Sequence, residues 1–454
     1  MTSPSLSPQQ AIDFLFAAAK TKGANAYDAV AGESESLGVE LFEGKVKSTE
    51  ISNSRGIGIR LFRDGRPGFA FTERLTHDAL ARTVEDAWSH AGLTDPVDLE
   101  LPQPAQLADL DLQSFNPTLE NVTLDEMKSL GLELEIQAKN GPHADARIEN
   151  VPYLGVSRSG GYSLIANSNG VLYESRSNSV SAYVGVVAKQ GEIKKMGVFG
   201  RGGRHFNHTL FDPAYMARMA VERGIELLDA APVPSGAYPV VFSHRVSEQL
   251  FGMFGSPFFA EAAQKSQSRL KDKVGERIAS PLFNLVSDPL LPGMPGSHLF
   301  DGEGVASQRL EVVKDGVLQT YLYNLESAKK AGVVPTGTGS RGYSGKAGTG
   351  FANYLVPLGT HSVEDLLAQH PKCLLIVKLE GGSGCSAISG EISIGAQGFL
   401  YENGVRVRAV DRITLSTNFF DLLQNIEGFS NEYSDAFSSV KVPDVLVNPV
   451  HVAG

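Results

Sequence analysis

Hydrophobic side chains near the start of the chain repeat with the period of a helix. They form one apolar helical face, which consists of Ile12, Leu15, Phe16 and Ala19. Ser7, followed by Pro8 and Gln10, predicts a capped N-terminus for this helix, and Gly23 predicts its end. A second helix with the same period is predicted from Thr76 to just before Gly92.

The pattern between these helices changes to the strict alternation of strands. Ile57, Ile59 and Leu61 alternate with smaller or polar residues, and Asp64-Gly65 predicts a hairpin turn. A proline-containing stretch over 93–120, which has little periodicity, is predicted to be a linker.

The same order of elements returns after the linker. A capping box formed by Thr123 and Glu126 predicts a helix to about Asn140, and strands are predicted to about residue 200. Asn169-Gly170 marks a hairpin turn, and Asp212-Pro213 predicts the start of another helix. This order suggests a coarse duplication of the first segment.

The third part of the chain is predicted to be mostly strand. Its predicted helices cover about 246–273, where Pro257 could break the helix, 325–331 and 363–369. The sequence therefore predicts three domains, over 1–95, 121–231 and 235–454. The fold class is α+β: N-terminal α/β-type segments with antiparallel sheets, followed by a mostly β C-terminal domain.

Composition limits the classes of function. The 454 residues carry a formal net charge of −11, so binding of nucleic acid through overall charge is not expected. The two cysteines, Cys373 and Cys385, form no disulfide framework and suit a reducing compartment. No secretory signal and no apolar run of about 20 residues is found. We expect a cytoplasmic protein with no membrane and no nucleic-acid partner.

Three short motifs favour ordinary structural interpretations. The GxGxxG string of Gly337–Gly342 lacks the following helix that a dinucleotide site requires. His205 and His208 lie close in sequence, but no third metal ligand is evident nearby. Cys385 lies in a glycine-rich stretch, where a small turn residue is the better interpretation than a nucleophile.

A basic stretch interrupts this acidic chain. Its members lie within sixteen residues and are opposed only by Glu192: Lys189, Lys194, Lys195, Arg201 and Arg204. A solvated hairpin is the simpler interpretation. Alternatively, Lys194, Lys195, Arg201 and Arg204 bind an anionic group, such as a peptide carboxylate or a phosphate.

The string Phe300-Asp-Gly-Glu-Gly-Val305 places two carboxylates between glycines. Asp301, Glu303 and Gly304 could hold a tight turn through side-chain to backbone hydrogen bonds. The same carboxylates could also bind a cation, act as an acid/base pair or form part of a peptide site.

This string opens a series of motifs that resembles the TldD/PmbA family. The further matching strings, in order, are Lys314–Tyr321, Ala331–Gly337, Leu358–Glu364, Gly381–Gly384, Ser389–Phe399, Glu402–Gly404 and Ile413–Asn418. The resemblance is strongest over 235–454. Toward the N-terminus it is carried by Ala26-Tyr-Asp28 and Gly56-Ile-Gly-Ile59.

The resemblance implies a three-segment α+β architecture and a zinc-dependent peptidase built from two related subunits. TldD-type subunits carry HExxxH early in the last domain and a late cysteine ligand. Counting back from Val274-Gly-Glu276 places that motif on 251–256, where Phe251, Gly252 and Ser256 stand, and no cysteine follows Cys385. The chain is therefore similar to the PmbA (TldE) branch, and we expect no catalytic residue, metal or other cofactor in it, with zinc in a TldD-type partner.

Three hypotheses follow. The first is a metal-free subunit that acts on unfolded or small peptides with a TldD-type partner, as a heterodimer, or pairs with itself as a homodimer. Leu250–Phe254 and Phe258–Phe259 are candidates for the interface; the alternative is that these side chains are simply core. The second is a regulator or scaffold that works by protein contact alone. The third is an independent metal-free hydrolase that uses Asp301, Glu303 or Cys385.

Overall fold

A six-stranded antiparallel sheet runs through both N-terminal segments in the order β3-β2-β1-β4-β5-β6. The fold is taken from a computed structural model, which describes residues 5–97 and 99–454. The strands are β1 Ala26–Phe42, β2 Lys45–Arg63, β3 Arg66–Thr72, β4 Ile148–Asn167, β5 Leu172–Gln190 and β6 Ile193–Gly203. Because β1 pairs with β4, the two segments share one sheet.

Four helices cover the two ends of one face of this sheet. They are α1 Pro8–Lys22, α2 His77–Ala91, α3 Leu124–Asn140 and α4 Pro213–Ile225. Along β1, Ala29 and Ala31 pack in the core of α1 and α2, whereas Val39 and Leu41 pack in the core of α3 and α4. These four residues are separated by even numbers, so they point to the same face.

The predicted boundaries of these N-terminal elements are confirmed. Ser7 and Thr123 each form a capping box at a helix N-terminus, and Gly23 ends α1 in the left-handed region with φ 90°. Asp64 and Gly65 form the β2–β3 turn, both with positive φ. The predicted linker contains one 3-10 helix, Pro117–Asn121, in its described part, and it is fastened to the sheet. Asn167 Nδ2, for example, donates to the Pro102 carbonyl.

The C-terminal part contains a second six-stranded sheet in the order β16-β15-β14-β7-β19-β17, and an additional β16–β19 pairing closes it into a barrel. Its strands are β7 Gly236–Phe242, β14 Lys372–Glu380, β15 Glu391–Glu402, β16 Val405–Asn418, β17 Ile426–Phe429 and β19 Val445–Ala453. A five-stranded sheet and a two-stranded ribbon contain β8 Leu285–Ser287, β9 Leu310–Lys314, β10 Val317–Leu318, β11 Gly339–Ser340, β12 Gly348–Thr349, β13 Tyr354–Leu355 and β18 Val440–Lys441. The predicted α+β class is confirmed.

The helices of this part agree with prediction except in two regions. They are α5 His244–Met253, α6 Ala260–Gln264, α7 Leu325–Ala331, α8 Val363–Ala368 and α9 Phe419–Gln424. The predicted helix over 246–273 is interrupted after Met253, because Gly255 and Pro257 lead into a 3-10 turn, Ser256–Phe258; it resumes only as α6, and the chain is irregular after that helix. The second exception is α9, which was not predicted because six residues are too few to show a helical period. Over residues 5–97 and 99–454, no helix has the length and apolar character that crossing a membrane requires.

Candidate functional site

The Phe300–Val305 string folds as a turn that its own aspartate holds. Asp301 Oδ1 accepts hydrogen bonds from the backbone N–H groups of Glu303 at 2.9 Å and Val305 at 3.0 Å. Asp301 Oδ2 accepts from the N–H of Gly339 at 2.7 Å. Gly304 has a φ of 82°, a conformation that glycine adopts without strain. These contacts support the turn interpretation of the string.

Glu303 leaves this turn and joins two distant elements. Its Oε1 lies 3.0 Å from Arg60 Nη1 on strand β2, and its Oε2 accepts from the N–H of Leu325, the first residue of α7, at 2.8 Å. The side chain is 1% exposed, so both carboxylate oxygens are satisfied within the protein. Glu303 thus ties the C-terminal part of the chain to the N-terminal sheet.

A buried cluster of four charges forms at this junction. Arg60 binds Asp28 as well as Glu303, and Arg341 Nη1 lies 2.8 Å from Asp28 Oδ1. Burial would raise the pKa of Asp28, but Arg341 and Arg60 outweigh it and hold the pKa below its usual value. Burial likewise would lower the pKa of Arg60, but Asp28 and Glu303 raise it. The two acids and two bases neutralise one another.

No motif in the sequence singles out Asp28, Arg60 or Arg341 as a site residue. Asp28 ends the string Ala26–Asp28, and Arg60 directly follows Gly56–Ile59; both strings indicate only a similarity to the family. Arg341 lies inside the rejected GxGxxG string, where β11 continues into a loop and not into a helix. No local pattern links these residues, because the chain separates them by up to 313 positions.

Close passage of the chain over the sheet depends on two glycines next to this cluster. A Cβ atom at Gly56 would lie 2.3 Å from the ring of Tyr343, and one at Gly58 would lie 2.0 Å from the Tyr343 carbonyl oxygen. Neither distance is possible between non-bonded atoms. The Gly56-Ile-Gly-Ile59 string is therefore required for the C-terminal part to rest on the sheet.

A cleft of about 360 Å³ opens beside the cluster. His298, Asp301 and Arg341 line it together with main chain of the β11 region. Burial raises the pKa of Asp301 to about 7, with Glu303 adding to the rise and the three backbone N–H groups opposing it. Burial lowers the pKa of His298, whose Nδ1 lies 2.7 Å from the Ser307 hydroxyl. A carboxyl group whose pKa is raised to near 7 in a cleft is typical of functional sites, although structural networks shift pKa values too.

The stretch 251–256, on which the resemblance places the metal motif, lies partly in the hydrophobic core. Phe251 on α5 is fully buried, and its ring packs 5.6 Å from that of Phe419 and 6.0 Å from that of Phe283. Gly252 has no side chain, and Ser256 begins the 3-10 turn. A catalytic zinc needs about three protein ligands, so these residues do not fit the ion. Within 5–97 and 99–454, no three His, Cys, Asp or Glu side chains form a group that could hold a metal.

The predicted interface stretch is also largely interior. Leu250, Phe254 and Phe258 are at most 1% exposed and pack with Phe251 in the main C-terminal core. The core interpretation therefore holds for these side chains, because the barrel and α5 bury them, whereas Met253 and Phe259 of the same stretches are half-buried.

Most side chains of the basic stretch form ion pairs or hydrogen bonds within the chain. Lys194 pairs with Glu149 at 2.6 Å, Lys195 pairs with Asp411, and Arg201 pairs with Asp435. Arg204 instead donates to backbone carbonyls. The four side chains therefore do not share one anion site, and a role for any one of them has to be tested separately.

The remaining candidates lie apart from the cluster. His205 is exposed, and His208 lines a separate cleft with residues of α3. Cys385 is half-buried in the turn before β15, and within the described residues its thiol has no hydrogen bond to a histidine or a carboxylate. The structure therefore does not bring Cys385 together with the groups that activate a nucleophile.

Three family models match the chain in succession. Those for domain 1, the central domain and the C-terminal domain of the PmbA/TldA metallopeptidases match residues 27–91, 117–228 and 235–454. The chain thus has the three-domain architecture of a class of metallopeptidases. The chain belongs to the PmbA/TldD metallopeptidase family.

Relatives align along nearly the whole length. The chain is 29% identical to the metalloprotease PmbA of Escherichia coli O157:H7 over 447 residues, which cover 96% of this chain and 94% of that protein. It is 28% identical to the metalloprotease PmbA homolog of Haemophilus influenzae over 453 residues, covering 98% and 96%.

Solved structures share the fold. A putative modulator of a DNA gyrase from Thermotoga maritima MSB8 superimposes with a TM-score of 0.88 and 27% identity, covering 98% of this chain and 100% of that one. TldE from Thermococcus kodakarensis has a TM-score of 0.85 and 21% identity, covering 98% and 99%, which is a likeness of fold alone.

Proposed function

We propose that this chain is the metal-free subunit of a PmbA/TldD-type zinc metallopeptidase complex that acts on unfolded or small peptides. The observation that carries the proposal is Phe251, a fully buried aromatic residue at the position of the first motif histidine. No step of hydrolysis is assigned to this chain. Its partner would be a TldD-type subunit with intact HExxxH, and both thiols of this chain are free, which suits the cytoplasm.

The residues of the cluster would fix the shape of the subunit. Asp28, Arg60, Glu303 and Arg341 hold the C-terminal part on the sheet, and the 360 Å³ cleft beside them is open to a peptide segment. A regulatory or scaffolding role without peptidase work would use the same rigid frame, but no contact in the structure favours it specifically. The Asp301 hydrogen bonds favour a turn over an independent hydrolase.

Co-expression with a family member that carries HExxxH tests the proposal. We expect the two chains to co-purify in equal amounts, with one zinc per pair and peptidase activity only in the pair. A partner variant with its first motif histidine changed to alanine should still assemble but lose activity. The chain alone should show no stoichiometric zinc by elemental analysis.

Two outcomes would contradict the proposal. One is a tightly held zinc in the isolated chain that is lost on His205→Ala or His208→Ala. The other is an isolated chain that sediments as a stable species, ignores every such family member and hydrolyses peptides by itself.

A further inference from the structure

Arg204 differs from the other basic residues of its stretch in having no acidic partner. Lys194, Lys195 and Arg201 each lie against a carboxylate. Among the residues that the structure describes, no carboxylate lies within 4 Å of the Arg204 guanidinium. Burial is the single cause that lowers the pKa of Arg204, and no acid opposes it. Its positive charge is therefore uncompensated.

This uncompensated charge is also removed from water. Arg204 is 9% exposed, and its hydrogen bonds within the described chain all use Nη1, which donates to the carbonyl oxygens of Ser114, at 2.6 Å, and Asn178. Its Nε is buried without a partner. The ring of Phe437 lies 5.4 Å from the guanidinium carbon. A buried charge without a counter-charge costs stability, so a bound anion would relieve this cost.

The side chain lines a cleft of about 420 Å³ on the sheet face opposite the helices. Serine hydroxyls of neighbouring strands and two residues of the C-terminal part complete its walls: Ser36, Ser159, Ser177, Ser179, Pro295 and Phe437. Glu35, the acidic residue among those that line the cleft, is paired with Arg158 at 2.8 Å. Among the described residues that line the cleft, Arg204 is thus a cation without an acidic partner, and several serines offer hydroxyl donors.

The unused edge of the guanidinium selects the kind of anion. Nη2 makes no hydrogen bond within the described chain and is the donor left for an anion, and a guanidinium binds a carboxylate through charge-assisted hydrogen bonds. One positive charge also balances one carboxylate, whereas a phosphate dianion would bring a second, unbalanced charge.

We propose that Arg204 binds the C-terminal carboxylate of a short peptide in this cleft, with the serine hydroxyls around it. The peptide as the source rests on the proposed function, but the carboxylate site is a property of this chain alone. Binding is therefore measured with the purified full chain, without zinc or a partner, so its failure is distinct from failure of complex formation.

Isothermal titration calorimetry with acetyl-Ala-Leu as the free acid tests the site. We expect the free acid to bind at least tenfold more tightly than the same peptide as its C-terminal amide and more tightly than inorganic phosphate. Arg204→Lys keeps the charge but removes the fork, and it should weaken binding of the acid at least tenfold. Arg201→Lys, a matched change at the Asp435-paired residue on β6, should leave binding unchanged.

A second variant guards against a folding defect at Arg204. Ser177→Glu places a carboxylate in the cleft, and we expect it to raise the melting temperature while abolishing binding of the acid. Equal affinity for acid and amide, or acid binding that survives both Arg204→Lys and Ser177→Glu, would overturn the proposal. Binding of phosphate in place of the peptide acid would overturn the carboxylate assignment.

Discussion

Two buried aspartates show how neighbours decide the state of a side chain. Asp28 faces Arg60 and Arg341, which outweigh the effect of burial and keep its pKa low. Asp301 faces backbone N–H groups and Glu303, and burial raises its pKa to about 7. The same residue type is thus held as a carboxylate at one position and titrates near neutral pH at the other.

We expect Asp301→Asn to lower the free energy of unfolding by about 1–3 kcal/mol at pH 6, because one amide N–H would face the N–H of Gly339 in place of an acceptor. The folded-state pKa of Asp301 lies above the ordinary value of 3.8 for an aspartate. The native state therefore holds the proton more tightly, and wild-type stability falls as pH rises toward about 7. Urea denaturation at pH 6 and pH 8 should show the difference between the two proteins narrowing.

The turn interpretation makes a further demand on this variant. In the reconstituted complex, Asp301→Asn should keep peptidase activity within tenfold of wild type. A larger loss with an unchanged melting temperature would show that Asp301 belongs to the peptide site and not to the turn.

Two glycines, one in a helix and one in a strand, differ in the space available for a side chain. Gly252 lies inside α5, where an added Cβ would meet only a Val440 methyl group at 3.6 Å. Gly68 lies on β3 against α2, where an added Cβ would lie 1.9 Å from the Ala87 carbonyl oxygen. The first glycine has room beside it, and the second is required by the packing of a helix on a strand.

We expect Gly252→Ala to raise the free energy of unfolding by about 0.5–1 kcal/mol, because alanine is the better helix former and meets no clash. Gly68→Ala should lower it by about 3 kcal/mol, because helix and strand must separate. Thermal melts of the two variants beside wild type provide the measurement. Destabilisation by Gly252→Ala would show that the motif position carries a structural demand that the contacts do not reveal.

The molecule as a whole is held together at the junction of the N-terminal sheet and the C-terminal part. The cluster of Asp28, Arg60, Glu303 and Arg341 and the passage of Tyr343 over Gly56 and Gly58 lie side by side there. A buried pair of this kind destabilises strongly when one partner is removed, since the other charge stays buried.

We expect Arg60→Met to lower the free energy of unfolding by about 3–5 kcal/mol, because Glu303 loses the cation that it pairs with and Asp28 keeps Arg341. Calorimetry should show the sheet and the barrel unfolding in separate transitions. Lys22→Met, which removes an exposed pair with Glu85, serves as the control and should change stability by about 1 kcal/mol or less. Equal effects of the two changes would contradict a role for the cluster in holding the two parts together.

Local patterns in the sequence determined most of the N-terminal elements. The capping boxes at Ser7 and Thr123 and the turn at Asp64-Gly65 depend on residues that are neighbours in the chain, so they could be predicted residue by residue. The order of motifs over 235–454 also identifies the family from the sequence alone. The α+β class followed from the alternation of helical and strand periods.

Only the tertiary structure decided which distant residues meet. The sequence indicated Asp301 and Glu303 but not Asp28, Arg60 or Arg341, because salt bridges between residues 32, 243 and 313 positions apart leave no local periodicity. Burial decided the rest. From the sequence, Phe251 and Phe254 fit an exposed interface as well as a core, and the barrel shows that they are core. Of four similar basic residues, three have acidic partners that lie far away in the sequence, and only the strand arrangement distinguishes them from Arg204.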